Sequence, residues 1–285
     1  MIEISGLCKQ YKEVRAVDNL NLTVKAGEIF GLLGPNGAGK TTVIRILTTL
    51  ARPTGGKVLI NGRKISRGNA VIKREIGVVS QRENLDIKLT ARENMELHGR
   101  LFKLPPGERR ARTKELLDFV NLSERAATAV EHFSGGMKRR LMIARALMHE
   151  PRLLFLDEPT VGLDPQVRRK IWDLIRSLNN RGITVLLTTH YIEEAELLCH
   201  RVGIMNRGRL IALGTPTELK QKVGKVVVEI PNNRVTGYND ETKYLVFENR
   251  GEALRYASGL QDNLVIRESN LEDVFVELTG HKVGD

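Results

Sequence analysis

The run Gly34-Pro35-Asn36-Gly37-Ala38-Gly39-Lys40-Thr41 fits the pattern G-x-x-x-x-G-K-T, with Thr42 next in line. Glycines at this spacing let successive backbone N–H groups point into one concavity, and a helix opening at Lys40 adds the positive end of its dipole. Such a loop holds the phosphates of a nucleotide. Lys40 brings a point charge to the β- and γ-phosphates, and the Thr41 hydroxyl is placed to ligate Mg²⁺. A second run, LLFLDE at residues 153–158, ends four apolar residues in Asp157 and Glu158. A carboxylate closing a buried strand is costly without a cation or hydrogen bonds, so Mg²⁺ is the natural partner for Asp157. Glu158, one residue on, is suited to take a proton from an attacking water or to orient it. A third run, Phe133-Ser134-Gly135-Gly136-Met137, leads into KRRLMIARAL, where Leu141, Ile143, Ala144 and Leu147 mark an amphipathic helix capped by Ser134. That helix start is a second anion site, so one chain offers two phosphate-binding surfaces.

The elements that must position these groups show as changes of period. Ile29 to Leu33 is a near-continuous apolar run, expected of a strand buried on both faces. From Lys40 to Leu50 the residues Val43, Ile44, Ile46, Leu47 and Leu50 fall on helical spacing, which gives the strand, loop, helix order a phosphate loop needs. Ile2 to Ile4, Leu20 to Val24, Lys57 to Ile60 and Ile76 to Val79 read as further strands. Between about 84 and 150 the sequence turns charged and helix-forming, with Pro105-Pro106 between two stretches, and we read a helical insertion. Strands resume at Leu153 to Leu156 and Thr184 to Leu187, each followed by a helical pattern, so a parallel sheet with crossover helices continues beyond it. After Gly214-Thr215-Pro216 a new segment begins, with strands at Val226 to Ile230, Tyr244 to Phe247 and Leu264 to Ile266. It adds a helix near Glu252 to Ser258 and a last helix, opening at Ser269 or Asn270, with Leu271, Val274, Phe275 and Leu278 on one face. The expectation is an α/β cassette over 1–215 followed by a small α+β domain over 216–285.

Composition bounds the rest. With 41% hydrophobic and 28% charged residues the 285-residue chain has the makeup of a folded protein, not of a disordered one. Its longest uninterrupted apolar stretch, Ile29 to Gly34, is far below the roughly 18 residues of a membrane span, and MIEISGLCKQ lacks the pattern of a secretion signal. Cytosolic residence without a membrane span is the expectation, and Cys8 and Cys199 are too few for a disulfide framework or a zinc site. The formal charge of +11 is uneven: residues 1–150 carry 27 basic and 15 acidic side chains, residues 151–285 carry 18 and 19. A basic half attracts nucleotide, nucleic acid or anionic lipid headgroups, and composition does not choose among them.

The first two motifs alone specify a P-loop ATPase or GTPase. With the third, the sequence resembles the nucleotide-binding subunit of an ABC (ATP-binding cassette) transporter over about residues 1–215. The motifs occur in family order: the phosphate loop, Gln81 after IGVVS, Ser134 to Met137, Asp157-Glu158, Gly162-Leu163-Asp164, and His190 after ITVLLTT. The resemblance implies a P-loop NTPase fold, a RecA-like parallel core with an antiparallel β subdomain and helical insertion, acting on ATP and Mg²⁺. It implies a head-to-tail dimer, homomeric or with a related cassette, in which Ser134, Gly135 and Gly136 of one subunit close over the other's ATP. Tyr11 would stack on adenine, Gln81 would reach Mg²⁺ and the attacking water, His190 would contact the γ-phosphate, and Asp164 would cross the dimer interface. A separate transmembrane permease, with peripheral association at the cytoplasmic face of the membrane, is implied as well. Phe133 and Met137 depart from the Leu and Gln of many members, and the form SGGMKRR resembles the branch holding daunorubicin-resistance-type drug exporters, sodium exporters and lipid-moving transporters. Two rivals stand beside this reading, an importer ATPase and a nucleic-acid ATPase built on the same cassette. Against the latter there is no long heptad arm and there are too few cysteines for zinc modules, so no nucleic-acid partner is expected.

Overall fold

A computed structural model describes residues 1–66, 68–230, 243–260 and 264–279. Its first sheet is antiparallel, formed by β1 (Ile2–Tyr11), β2 (Val14–Val24), β4 (Gly55–Ile60) and β5 (Arg63–Lys64) in the order β2-β1-β4-β5. Along its strands Ile2, Ile4, Leu20, Leu22 and Val24 point inward, and Glu3, Asn21 and Thr23 between them do not. Strands β1 and β2 run well past the short segments expected. The apolar alternation stops at Ile4 because the pairing shifts register between Ile4 and Leu7, where Gly6 takes φ 59, yet the hydrogen-bonded ladder continues to Tyr11 and Val14.

The second sheet contains β3 (Ile29–Leu33), β6 (Ile76–Val79), β7 (Leu153–Asp157), β8 (Thr184–Thr189), β9 (Arg201–Asn206) and β10 (Arg209–Gly214), ordered β10-β9-β3-β8-β7-β6. The run from β9 to β6 is parallel and β10 closes one edge antiparallel. Every residue of β3, β7 and β8 is buried, which is why residues 29–33, 153–156 and 185–187 read as apolar runs without alternation. Pairing of Leu33 with Thr189 and of Asp157 with Thr188 brings the carboxyl ends of three neighbouring strands to one edge.

Helix α1 (Lys40–Leu47) and α2 (Ala70–Glu75) precede β6, while α3 (Ala91–Leu101), α4 (Pro106–Phe119) and α5 (Gly135–Ala146) occupy the crossover from β6 to β7. Helix α1 ends before Leu50 because the Thr48 hydroxyl turns back onto the Ile44 carbonyl (2.8 Å) and Thr49 takes φ 62, leaving Leu50 exposed. Helices α6 (Pro165–Asn180) and α7 (Ile192–Leu198) flank β8, and α8 (Pro216–Gln221) follows β10. One core lies between the parallel sheet and α3 to α7, around Leu33, Met95, Leu141, Leu156, Ile175 and Leu187. A second joins the two large sheets and α1, around Leu20, Phe30, Ile46, Ile60 and Phe155.

The remaining strands, β11 (Val226–Ile230), β12 (Lys243–Phe247) and β13 (Val265–Glu268), form an antiparallel sheet ordered β12-β11-β13 with α9 (Arg250–Ala257) packed on it. Its own core is small, centred on Val226, Val228 and Ala253. The last helix, α10 (Leu271–Thr279), is tied to this sheet by Asp273, which accepts from both terminal nitrogens of Arg267 on β13 (2.7 Å each), but its apolar face lies elsewhere. Leu271, Val274 and Phe275 enter the first core beside α7 and α8, the Leu271 N–H donates to Glu196 Oε1 (2.7 Å), and Leu278 stays exposed. Among the described residues no helix is long and apolar enough to cross a membrane.

Candidate active site

Three adjacent strands deliver the chemistry. Residues immediately after β3, β7 and β8 are Gly34, Glu158 and His190, so the phosphate loop, a carboxylate and an imidazole converge at the edge where open parallel sheets bind ligands. The loop must be glycine at its ends: a Cβ on Gly34 would lie 2.2 Å from the Met205 carbonyl oxygen, and one on Gly39, at φ 103, would lie 2.3 Å from that of Ala16. Lys40 is buried, its ammonium donating to the Gly34 (2.7 Å) and Pro35 (3.0 Å) carbonyls and lying 3.2 Å from Glu158 Oε1. Glu158 Oε2 is 2.8 Å from His190 Nδ1. One buried carboxylate thus joins the lysine to the histidine. Glu158 holds φ 50, an unfavourable region for a non-glycine residue, fixed by its N–H donating to the Thr188 carbonyl (3.2 Å) and hydroxyl (3.0 Å).

Asp157 accepts hydrogen bonds from the Thr41 hydroxyl (3.1 Å) and the Thr188 hydroxyl (2.6 Å) on the same Oδ1. Burial raises its carboxyl above the usual range, opposed by those two hydrogen bonds and by Lys40 and reinforced by the Glu158 charge. A buried carboxylate with a hydroxyl at its side is a hard oxygen donor set of the kind Mg²⁺ takes, so Thr41 and Asp157 fit that ion, with Gln81 at the same cleft. That cleft, about 380 Å³, is lined by Asn36 to Thr42, Gln81 and Glu158, and on another side by Val14, Arg15, Ala16 and Arg207.

Other expected residues lie elsewhere. Tyr11 is 41% exposed beneath the Lys9 ammonium (4.5 Å) and is not among the residues lining the cleft, which Val14 to Ala16, just beyond the β1–β2 turn, do line. Ser134, Gly135 and Gly136 do not line it either. Ser134 caps α5, accepting from the Met137 N–H (3.3 Å), and Asp164 caps α6, accepting from the Val167 N–H (2.9 Å). The two helix starts are packed together, since a Cβ on Gly136 would sit 2.5 Å from Val167 Cγ1 and one on Gly135 lies 3.7 Å from Leu163 Cδ2. Ser134 and Asp164 therefore share a second, exposed surface.

Sequence reasoning missed three positioning residues. Thr188 serves both Asp157 and Glu158, and a threonine in an apolar strand carries no signal of its own. Arg139, on α5, is buried and donates to the carbonyls of Ser80 (2.9 Å) and Gln81 (3.3 Å), so α5 fastens the Gln81 loop directly. Glu194, fully buried on α7, accepts from the Thr160 hydroxyl (2.8 Å) and the Trp172 indole (2.9 Å), tying the segment after Glu158 to the helix after His190.

The family model described as ABC transporter matches residues 17–161. Over 299 residues the chain is 44% identical to Nod factor export ATP-binding protein I of Paraburkholderia xenovorans (strain LB400), covering 100% of this chain and 98% of that protein. It is 39% identical to Daunorubicin resistance ATP-binding protein DrrA3 of Streptomyces coeruleorubidus over 302 residues, 98% of this chain and 96% of that one. Among solved structures, the dimeric ATP-binding cassette MJ0796, in a post-hydrolysis state bound to ADP and Pi, superposes with a TM-score of 0.69 at 34% identity, over 75% of this chain and 98% of that one. CbiO1 of Clostridium perfringens, part of the ABC transporter complex cbiONQ, gives 0.71 at 30% identity over 76% and 89%. A phosphate loop, an Asp-Glu pair and a histidine at the ends of neighbouring parallel strands, in a chain alike over its whole length to ATP-binding proteins, have one meaning: this chain belongs to the ABC transporter family, as an ATP-binding and ATP-hydrolysing subunit.

Proposed function

We propose that the chain is the motor of an exporter: it binds MgATP, pairs head to tail with a second copy or a related cassette, and passes the closure to a separate transmembrane permease at the cytoplasmic face of the membrane. The observation that carries the reading is the division of the site. The cleft collects the phosphate loop, Gln81 and Glu158, with His190 on Glu158, while Ser134, Gly135, Gly136 and Asp164 lie apart on the surface formed by the starts of α5 and α6. Each half answers the other's need only across two chains. The dimeric form of MJ0796 supports this pairing, the membership of CbiO1 in a transporter complex supports a permease, and the names of the two relatives support export. The cassette is assigned to 1–215 and a small domain to 216–285.

In this mechanism the backbone of Gly34 to Thr42 cradles the phosphates, Lys40 leaves Glu158 to meet the β- and γ-phosphates, and Tyr11, outside the cleft but paired with its lining residue Val14, turns to stack on adenine. Thr41, Asp157 and Gln81 would hold Mg²⁺, which would neutralise phosphate charge. Released from Lys40, Glu158 accepts a proton from the attacking water, while His190 holds Glu158 and turns to the γ-phosphate. Ser134 and the N–H groups of the partner's α5 supply further charge stabilisation, so positioning and electrostatics carry the rate.

Complementation tests the divided site. Chains carrying Lys40→Ala or Ser134→Arg should each lose ATPase activity alone. Mixed, they should regain part of it, because one intact phosphate loop then meets one intact α5 start. Activity restored to neither mixture nor single chain would place both halves of a site within one chain and end the proposal. Purification of a multispanning membrane protein with the chain tests the permease.

A further inference from the structure

We propose that Arg207, outside every motif of the site, is a phosphate-contacting residue of the nucleotide cleft, contributed by the turn between β9 and β10. The inference rests on the cleft being the nucleotide site. Arg207 lines the same cleft as Lys40 and Thr41. Its turn is locked to the phosphate loop: the Gly208 N–H donates to the Ala38 carbonyl (3.0 Å), and the Met205 carbonyl oxygen occupies the space a Gly34 Cβ would need. Loop and turn therefore cannot shift independently.

The backbone makes arginine an unexpected choice there. Asn206 pairs with Arg209, so Arg207 and Gly208 are the two residues of a tight hairpin turn, with φ of 46 and 80. Two successive positive φ values favour Asn or Gly at the first position, and an arginine bears steric strain that those residues avoid. Strain kept beside a ligand cleft is a pointer to function.

Charge says what that function is. Lys40 is paired with Glu158, and Arg15 with Asp18 at 3.0 Å. Arg209, two residues on, is also tied to Asp18 at 2.7 Å. Among the described residues the Arg207 side chain has no ion pair and no hydrogen bond, so it is the uncommitted cation at the cleft. A guanidinium presents a donor fork that matches phosphate oxygens two at a time, whereas an uncharged nucleoside offers it no anion.

The test uses the full chain and equilibrium binding of ATP, ADP and adenosine by calorimetry, with ATP turnover alongside. Arg207→Gly relieves the turn strain, so its melting temperature should hold or rise and lost affinity cannot be ascribed to unfolding. Expected are ATP and ADP bound about tenfold more weakly, from one lost charge-assisted contact, adenosine binding unaltered, a shallower salt dependence, and a raised KM for ATP. Arg207→Lys should recover part of the affinity. Native ATP affinity in Arg207→Gly overturns the inference, as does an effect confined to dimer formation. Lys40→Ala separates the two readings, because native ATP affinity in that variant would mean that the cleft itself is not the nucleotide site.

Discussion

Glu158→Gln probes the centre of the site. The substitution keeps the side-chain shape and removes the charge that lies 3.2 Å from Lys40 Nζ and 2.8 Å from His190 Nδ1. Lys40 and Glu158 are both about 95% buried, and at an effective dielectric constant of about 20 two charges at that separation attract by about 5 kcal/mol before desolvation is counted. In the proposed mechanism ATP binding exchanges that attraction for one between Lys40 and phosphate. The variant lacks the competitor, so its affinity for ATP should equal or exceed the native value. Hydrolysis should fall by roughly 10²–10⁴, or about 3–5 kcal/mol of barrier, the contribution typical of a general base. Phosphate release at saturating MgATP measures the second effect and equilibrium dialysis of ATP the first, and light scattering should find an ATP-bound dimer that persists. A native hydrolysis rate would refute the role of Glu158 as base. An intact fold with weakened ATP binding would refute the argument that Glu158 restrains Lys40.

Thr188→Val, nearly isosteric, leaves Asp157 Oδ1 and the Glu158 N–H each short of a partner. It should cost about 2–3 kcal/mol in urea unfolding and lower turnover. Glu194→Ala strands the Thr160 hydroxyl and the Trp172 indole in a dry site, for a loss of about 3 kcal/mol. Trp172 is the chain's one tryptophan, so its fluorescence should report the change directly, and an unaltered spectrum would contradict the contact. Stability should also fall with acid through His98. Burial, then the charges of Arg145 and His149, lower that imidazole from 6.5 to about 4. Its neutral form is the one the fold holds, so the penalty is absent above pH 6.5 and grows as pH falls towards 4, reaching at most about 3 kcal/mol. His149, lowered by burial, acts in the same sense, and melting curves of His98→Leu between pH 7 and 5 should show a smaller slope than the native chain.

What could be read from the sequence was whatever the backbone itself demands. The phosphate loop is written in its glycines because positive φ and close approach at Gly39 leave few alternatives, and β3 is written in its apolar run because both faces are covered. Partnerships across the sheet were not legible. Glu158 meets a lysine 118 positions earlier through strand order β3-β8-β7, and Thr188 meets Asp157 through register, neither of which local pattern encodes. Arg139 was not legible for a related reason: its two carbonyl partners, at Ser80 and Gln81, lie 59 and 58 positions earlier, where no local pattern points to them. The bulged continuation of β1 and β2 escaped because side-chain alternation fails at Gly6 while the ladder does not.

The seating of α10 has a consequence for how the chain is made. Glu196, on the helix that follows His190, waits 75 residues for the Leu271 N–H, and the apolar faces of Leu198 and Leu219 wait with it. At a synthesis rate of about 5–20 residues per second that interval is roughly 4–15 s, during which the nascent chain carries an uncovered hydrophobic seam on the helix that follows His190. Ribosomal pausing or early termination anywhere in that stretch would release a polypeptide whose nucleotide motifs are all present but whose surface is sticky, a natural substrate for chaperones and proteases. Only chains translated through α10 would be presented to a permease with that seam closed.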